Sequence, residues 1–451
     1  MMASEVTMAT THAKVHARPD ERLSIFEQGI VDWFPAAALF IFVAYHGLRD
    51  TIASVVGMYG LVVYALTGAA WLLLAVYWLR GGLRLTKRFI LLPAVVFAVF
   101  AFYMAVRHID GFIFEEYALP QAINPMGGMV AFVFLASQND ASRADTALKL
   151  ATVVMTVFLQ SSLGSVMRAT PVAGYDMGLG FDALFFALLS LHFIVDCKGA
   201  RSLPMTAVWA VCAVSNVALI LSYGSRGPLL GLIAFVALRF LVYVFGSKGS
   251  ILRKFLASAL VVGVAAILAF SLNDLVAVLN HQLNSMGITS RTLEKFLYAD
   301  IASDSGRSAI WGALIPQITA LGNGPFSDQA FLGQGNYCHN FVLEVFYDFG
   351  VPLGFVLLGV LVYFLIKAFR SCGTSPWFPL FLTLFAFCIG RLALSGTFWT
   401  ETYFWGLLAV MGLCAAVKVN EREASIALRL PGGLASDAES TCQNLLTGLM
   451  V

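Results

Sequence analysis

The chain has 451 residues, of which 59% are hydrophobic and 12% charged. Soluble globular domains carry a charged fraction nearer 25%, so the composition excludes an ordinary soluble enzyme and points to a membrane. With a formal net charge of +2 and basic residues scattered through short connections, the chain presents no basic face, which excludes nucleic acid as a partner.

Residues 1–29 are polar and read as a cytoplasmic tail. Apolar runs of roughly 17 to 25 residues can cross a bilayer as helices, and that ruler predicts about twelve spans and an all-α integral membrane protein. Nine fall in residues 30–272: Ile30–Leu48, Ser54–Leu79, Phe89–Val106, Ile123–Ser137, Ala147–Gly164, Gly178–Val195, Pro204–Ser222, Pro228–Phe245 and Phe255–Leu272. The first has spanning length and reads as a retained helix, not a cleaved signal. Pro125, Gly127 and Gly128 crowd the start of the fourth. Three more, Val351–Phe369, Trp377–Ser395 and Trp399–Val417, occupy residues 351–417.

With the N-terminus inside, most of the 28 Lys and Arg residues fall in inner loops, as cytoplasmic connections require. An even number of spans makes residues 418–451 a second cytoplasmic tail. Trp33, Trp78, Trp377 and Trp399 sit at span ends, where aromatic anchors belong. Residues 273–350 form one large structured outer loop. Of the seven cysteines, only Cys338 lies outside on this topology, so it reads as a free thiol.

Three outer-face residues could carry chemistry. Arg226 lies in Ser225-Arg226-Gly227-Pro228, a turn that opens the eighth span; a guanidinium beside outward-pointing helix amides makes an anion site. Arg307 follows Gly306 and opens a helix predicted over Ser308 to Leu321, where Ile310, Leu314, Ile318 and Leu321 repeat at helical spacing. A cation in a first helical turn is unfavourable unless an anion joins it. His339 is predicted to start a helix that Gly350 ends before Pro352. That position favours a neutral imidazole able to accept a proton, with Asn340, Glu344 and Asp348 forming a polar row below it.

Arg168 is a further outer cation. Arg391, inside the eleventh run, needs a partner, and Glu401 is the nearest in sequence; the pair reads as structural. Asp300 and Asp304 are too few for a metal site, and no metal or other cofactor is expected.

In order, Ser225-Arg226-Gly227, Gly306-Arg307-Ser308-Ala309-Ile310-Trp311, Gly322-Asn323-Gly324-Pro325, His339-Asn340 with Leu343, and Gly350-Val351-Pro352-Leu353-Gly354 resemble the bacterial O-antigen ligase and O-antigen polymerase superfamily. The resemblance concentrates in residues 220–360. It implies a lipid-phosphosugar glycosyltransferase of the inner membrane, acting at the periplasmic face without a metal and with inversion. The implied donor is a glycan on undecaprenyl diphosphate and the acceptor lipid A-core, or a lipid-linked glycan for a polymerase. Arg226 and Arg307 would hold the diphosphate and His339 would activate the acceptor, with Ser225, Gly227, Trp311, Asn340 and Arg168 in support. Membrane lipids and other polysaccharide-assembly proteins are the remaining expected partners. Competing readings are a transporter or flippase, against which no half-repeat is visible, and a non-catalytic scaffold.

Overall fold

The computed structural model describes residues 29–82, 95–96, 98–103, 105, 124–169, 177–196, 203–223, 226–246, 274, 276–285, 287, 293–294, 297–298, 306–333, 336–393 and 395–427. Among them every regular element is a helix. The helices are α1 Phe34–Val43, α2 Tyr45–Val56, α3 Tyr59–Tyr77, α4 Val130–Ala136, α5 Ala141–Ala169, α6 Met177–Asp196, α7 Leu203–Tyr223 and α8 Arg226–Gly246. They continue with α9 Arg307–Leu314, α10 Ser327–Leu332, α11 Phe341–Phe369, α12 Phe378–Leu392 and α13 Thr402–Ala427.

Among the described residues, five helices are long and apolar enough to cross a membrane: Tyr59–Gly81, Gly178–Val195, Leu203–Ser222, Arg226–Phe245 and Phe341–Phe369. A bent pair, Gly29–Val43 with Tyr45–Val56, makes up to six. Five expected spans need correction, the eleventh and twelfth because their apolar helices, Phe378–Leu392 and Thr402–Ala415, are shorter than a span. The first bends by 72° after Val43, and nothing in the local sequence explains the bend. Gly57, in the left-handed region at φ 73°, separates α2 from α3, so the second begins later than Ser54. The fourth reduces to the seven residues of α4, because Asn124 to Met129 form turns around Gly128 at φ 55°. Most of the third expected span, and all of the ninth, lie outside the described residues. The terminal tails do too, apart from the end of α13, which runs past Val417 to Ala427.

The chain divides into two compact units, residues 1–99 with 133–161 and residues 100–132 with 162–451. In the first, Phe134 stacks on Phe42 at 4.5 Å and meets the edge of Trp71 at 5.4 Å. The Gln138 amide donates to the Pro35 carbonyl at 2.8 Å, and Gly47 lets α2 approach Met155, whose sulfur lies 2.6 Å from where a Cβ would be.

The second unit carries every sequence-predicted site residue. Its central contact joins α8 to α12 through small residues. A Cβ on Gly227 would lie 2.9 Å from the Gly390 carbonyl oxygen, and one on Gly390 would lie 2.8 Å from the Gly231 Cα. Apolar helices without a hydrophobic drive between them gain attraction from such close approach.

Helix α11 is broken at Gly350, whose φ of 75° and ψ of 170° are not helical. Pro352 has no N–H to offer the Asp348 carbonyl, and the break also deprives the Tyr347 carbonyl of its partner one turn on. Both oxygens are satisfied from another segment: Asn323 N–H donates to Tyr347 and Gly324 N–H to Asp348, each at 2.9 Å. This docks Gly322-Asn323-Gly324 against Gly350-Val351-Pro352, joining two of the motifs read from the sequence.

Candidate active site

Helix α9, the turn after it, α10 and the start of α11 pack around Cys338, the residue before His339. Helix α9 ends at Leu314, short of the predicted Leu321, because Pro316 cannot continue the hydrogen-bond ladder; a 3-10 turn over Ile315–Gln317 follows. Its apolar face still works as the periodicity implies. Leu314 joins Cys338 and Tyr347 in a buried cluster, with Ile310, Ile318, Leu332 and Leu343 packed around it. Leu321 falls outside the pattern and is exposed. The cluster seats α9, α10 and the residues before α11 together.

Two polar contacts fix the chain just before His339. Trp311 Nε1–H donates to the Cys338 carbonyl at 2.9 Å, and Cys338 N–H donates to Asp328 Oδ2 at 2.9 Å. Asp328 is fully buried, and burial pushes its carboxyl up to about 6. Cys338 is a free cysteine with no exposed surface. Burial, with the Asp328 charge second, raises its thiol well above the usual range, so it offers neither a nucleophile nor an acceptor contact. Trp311→Phe keeps the ring and removes the donor. It is expected to cost about 1 kcal/mol of stability and to lower activity roughly tenfold by displacing His339; unfolding midpoints and rates from one preparation would separate the two effects.

His339 itself departs from the sequence reading in one respect. It precedes α11 rather than starting it: Asn340 is the cap, its Oδ1 accepting from Leu343 N–H at 3.1 Å. His339 adopts φ 56°, in the left-handed region. A non-glycine residue held there costs about 1 to 3 kcal/mol, and such strain concentrates at functional sites. Tyr337 packs on the imidazole at 3.9 Å between ring centres, and Nδ1 is enclosed without a hydrogen-bond partner among the described residues. Burial, then the charges of Arg307 and Arg391, lower its pKa to about 4. The imidazole is therefore neutral at pH 7, with burial and two guanidinium groups as the cause in place of the helix dipole.

Of the two predicted arginines, Arg307 acts on His339 directly. It opens α9 behind Gly306 at φ 84°, with no acidic residue in that first turn. Arg226 opens α8; its neighbour Gly227 packs against Gly390 and Phe181, which adjoin or underlie Arg391, but Arg226 is not among the charges that act on His339. Ser225, Asp300 and Asp304 lie outside the described residues. Arg168 falls in the last turn of α5, and its side chain lies outside them as well.

Arg391 is the residue that sequence reasoning left at the margin. Its pairing with Glu401 is present, Nε to Oε2 at 2.9 Å, and its guanidinium lies 4.4 Å from the Phe181 ring centre. Glu401 is held by a turn clamped onto α11. The Thr397 hydroxyl donates to Glu344 Oε1 and Phe398 N–H to Oε2 at 3.3 Å, while Trp399 Nε1–H donates to Asp348 Oδ2 at 2.6 Å. The polar row on α11 thus anchors the turn between α12 and α13. Only the row, not its partners fifty residues away, was visible in the sequence.

Among the described residues, no three His, Cys, Asp or Glu side chains group to hold a metal ion. No protein-family model matches the chain. No curated protein matches it either.

Proposed function

We propose that the chain transfers a glycan from undecaprenyl diphosphate to a sugar hydroxyl at the periplasmic face of the bacterial inner membrane. In this reading it is an O-antigen ligase with lipid A-core as acceptor, built on about twelve spans with both termini in the cytoplasm. The observation that carries it is an imidazole held neutral by burial and by the charges of Arg307 and Arg391, in a chain whose helices suit a bilayer.

The chemistry follows from those groups. The acceptor oxygen attacks the anomeric carbon as its proton passes to His339, because a hydroxyl is a poor nucleophile near neutral pH. The bond from that carbon to the diphosphate oxygen breaks, and its electron pair remains on the diphosphate. Fixed cations, Arg307 and Arg226, stabilise the charge that develops there. Attack opposite the leaving group inverts the centre.

Purified protein offered labelled undecaprenyl-diphosphate glycan with lipid A-core should cap the core. Chain elongation on a second lipid-linked glycan, without capping, would make it a polymerase. Arg307→Ala and Arg226→Ala are each expected to lower the rate by about 10² to 10³. Unchanged rates in both would remove the diphosphate-binding role.

A further inference from the structure

We infer that Arg391 is a third substrate-binding cation of this site, its Nη1 donating to a phosphate oxygen of the lipid-linked donor, and that Glu401 is the residue positioning it. The inference rests on the reading of the chain as a diphosphate-lipid transferase.

A guanidinium has five N–H donors in a rigid plane. Glu401 engages Arg391 through Nε, while Nη1 is enclosed and has no acceptor among the described residues. A buried donor in that state is rare, and a ligand that supplies the acceptor accounts for it. The same condition holds at His339 Nδ1, and the Arg391 charge acts on that imidazole. Two polar groups that act on one another electrostatically therefore both lack partners among the described residues.

The surroundings fix the guanidinium plane rather than merely tolerate it. Phe181 lies beneath it. Gly396, at φ 86°, leaves the space in which it lies, since a Cβ there would come within 3.0 Å of Nε. Glu401 follows the turn that Glu344 and Asp348 clamp. A pair serving only to tie α12 to that turn would not require Nη1 to be enclosed and unpaired. A diphosphate, with several oxygens in a small volume, matches a planar fork better than a single lysine ammonium.

The test uses the full-length protein in nanodiscs, with undecaprenyl diphosphate and undecaprenyl monophosphate as probes. The unsubstituted protein should bind the diphosphate lipid more tightly. Arg391→Lys is expected to weaken that binding roughly tenfold and to reduce the preference over monophosphate, because lysine lacks the fork. Glu401→Gln, which keeps the guanidinium but loosens it, should give a smaller loss of the same kind. In Arg391→Met the NMR titration midpoint of His339 should rise, since a positive neighbour is removed.

Binding of diphosphate lipid by the unsubstituted protein, with Arg391→Lys and Glu401→Gln equal to it, would overturn the inference and leave the proposed function standing. Absence of diphosphate-lipid binding in the unsubstituted protein would overturn the proposed function, and the phosphate contact with it. Thermal midpoints of every variant exclude misfolding; if Arg391→Lys does not fold, Glu401→Gln decides.

Discussion

His339→Ala is expected to abolish measurable transfer, a loss on the order of 10² to 10⁴ in rate, while binding of undecaprenyl diphosphate stays within about twofold of the parent. The split follows from the geometry. In the proposed mechanism His339 is the base and arginines hold the anion, so removing the base leaves the cations in place. The pH profile adds a second test. The working form is the neutral imidazole, and its pKa of about 4 keeps it neutral across the physiological range. The ratio kcat/KM, which reports the free enzyme, should therefore be flat near neutrality with respect to this group and fall as pH drops through about 4. Once an anionic donor sits against Arg307 and Arg391, part of their repulsion of the imidazolium is offset. The acid limb of kcat should then lie at higher pH than that of kcat/KM. Equal activity in His339→Ala would sink the assignment. An acid limb near 6.5 in kcat/KM would instead show that the burial and charge acting on His339 are much weaker than its geometry indicates.

The largest stability effect should come from Gly350→Ala or Gly322→Ala. A Cβ on Gly350 would overlap the Ala320 carbonyl oxygen and come within 2.5 Å of Gly322 N, and one on Gly322 would overlap the Asp348 carbonyl oxygen. Both obstructions are backbone, which cannot rotate aside as a side chain can. Both glycines also have positive φ, 75° and 77°, which an alanine adopts at a cost of about 1 to 2 kcal/mol. If the segments part, the Tyr347 and Asp348 carbonyls lose their donors, at about 1 to 3 kcal/mol for each buried group left unpaired. The total approaches the entire stability of an ordinary domain, about 5 to 15 kcal/mol. Either variant is expected to disappear from the folded, detergent-soluble fraction. Gly359→Ala is the control, with nothing within 4 Å of the added atom. It should leave the yield unchanged. Matching yields for Gly350→Ala and Gly359→Ala would show that the docked loop is dispensable.

The sequence was most informative where a local rule decides the outcome. Gly350 before Val351-Pro352 announced the break in α11, and the apolar runs around residues 178, 204 and 228 announced α6, α7 and α8 to within a few residues. It was least informative where the decision lies in distant contacts. Arg391 looked like a span arginine with a nearby partner, because Phe181, Gly396 and His339 become its neighbours only through folding. Glu344 and Asp348 showed their shared helix face, but not the Thr397 hydroxyl or the Trp399 indole that binds them. Pro316 was readable and should have shortened α9; the apolar repeat through Leu321 outweighed it. The turns at Pro125 and Gly128 were also readable, and they, not the hydropathy that follows, set the length of α4.

The break at Gly350 also serves as a depth gauge. Beyond it, the half of α11 from Val351 to Phe369 exposes Val351, Leu353, Phe355, Val356 and Val360, and at 1.5 Å per residue it measures about 28 Å, close to the thickness of a hydrocarbon core. Before it, Phe341 to Phe349 adds about 14 Å at the same rise. With the longer half crossing the bilayer, His339 stands no further from the acyl boundary than that shorter segment and the two residues before it permit, whatever the angle between the halves. The headgroup layer takes up about 5 to 8 Å of that distance on each side of the bilayer. In the proposed reaction, a donor whose diphosphate rests at the membrane surface need not leave the membrane to be used.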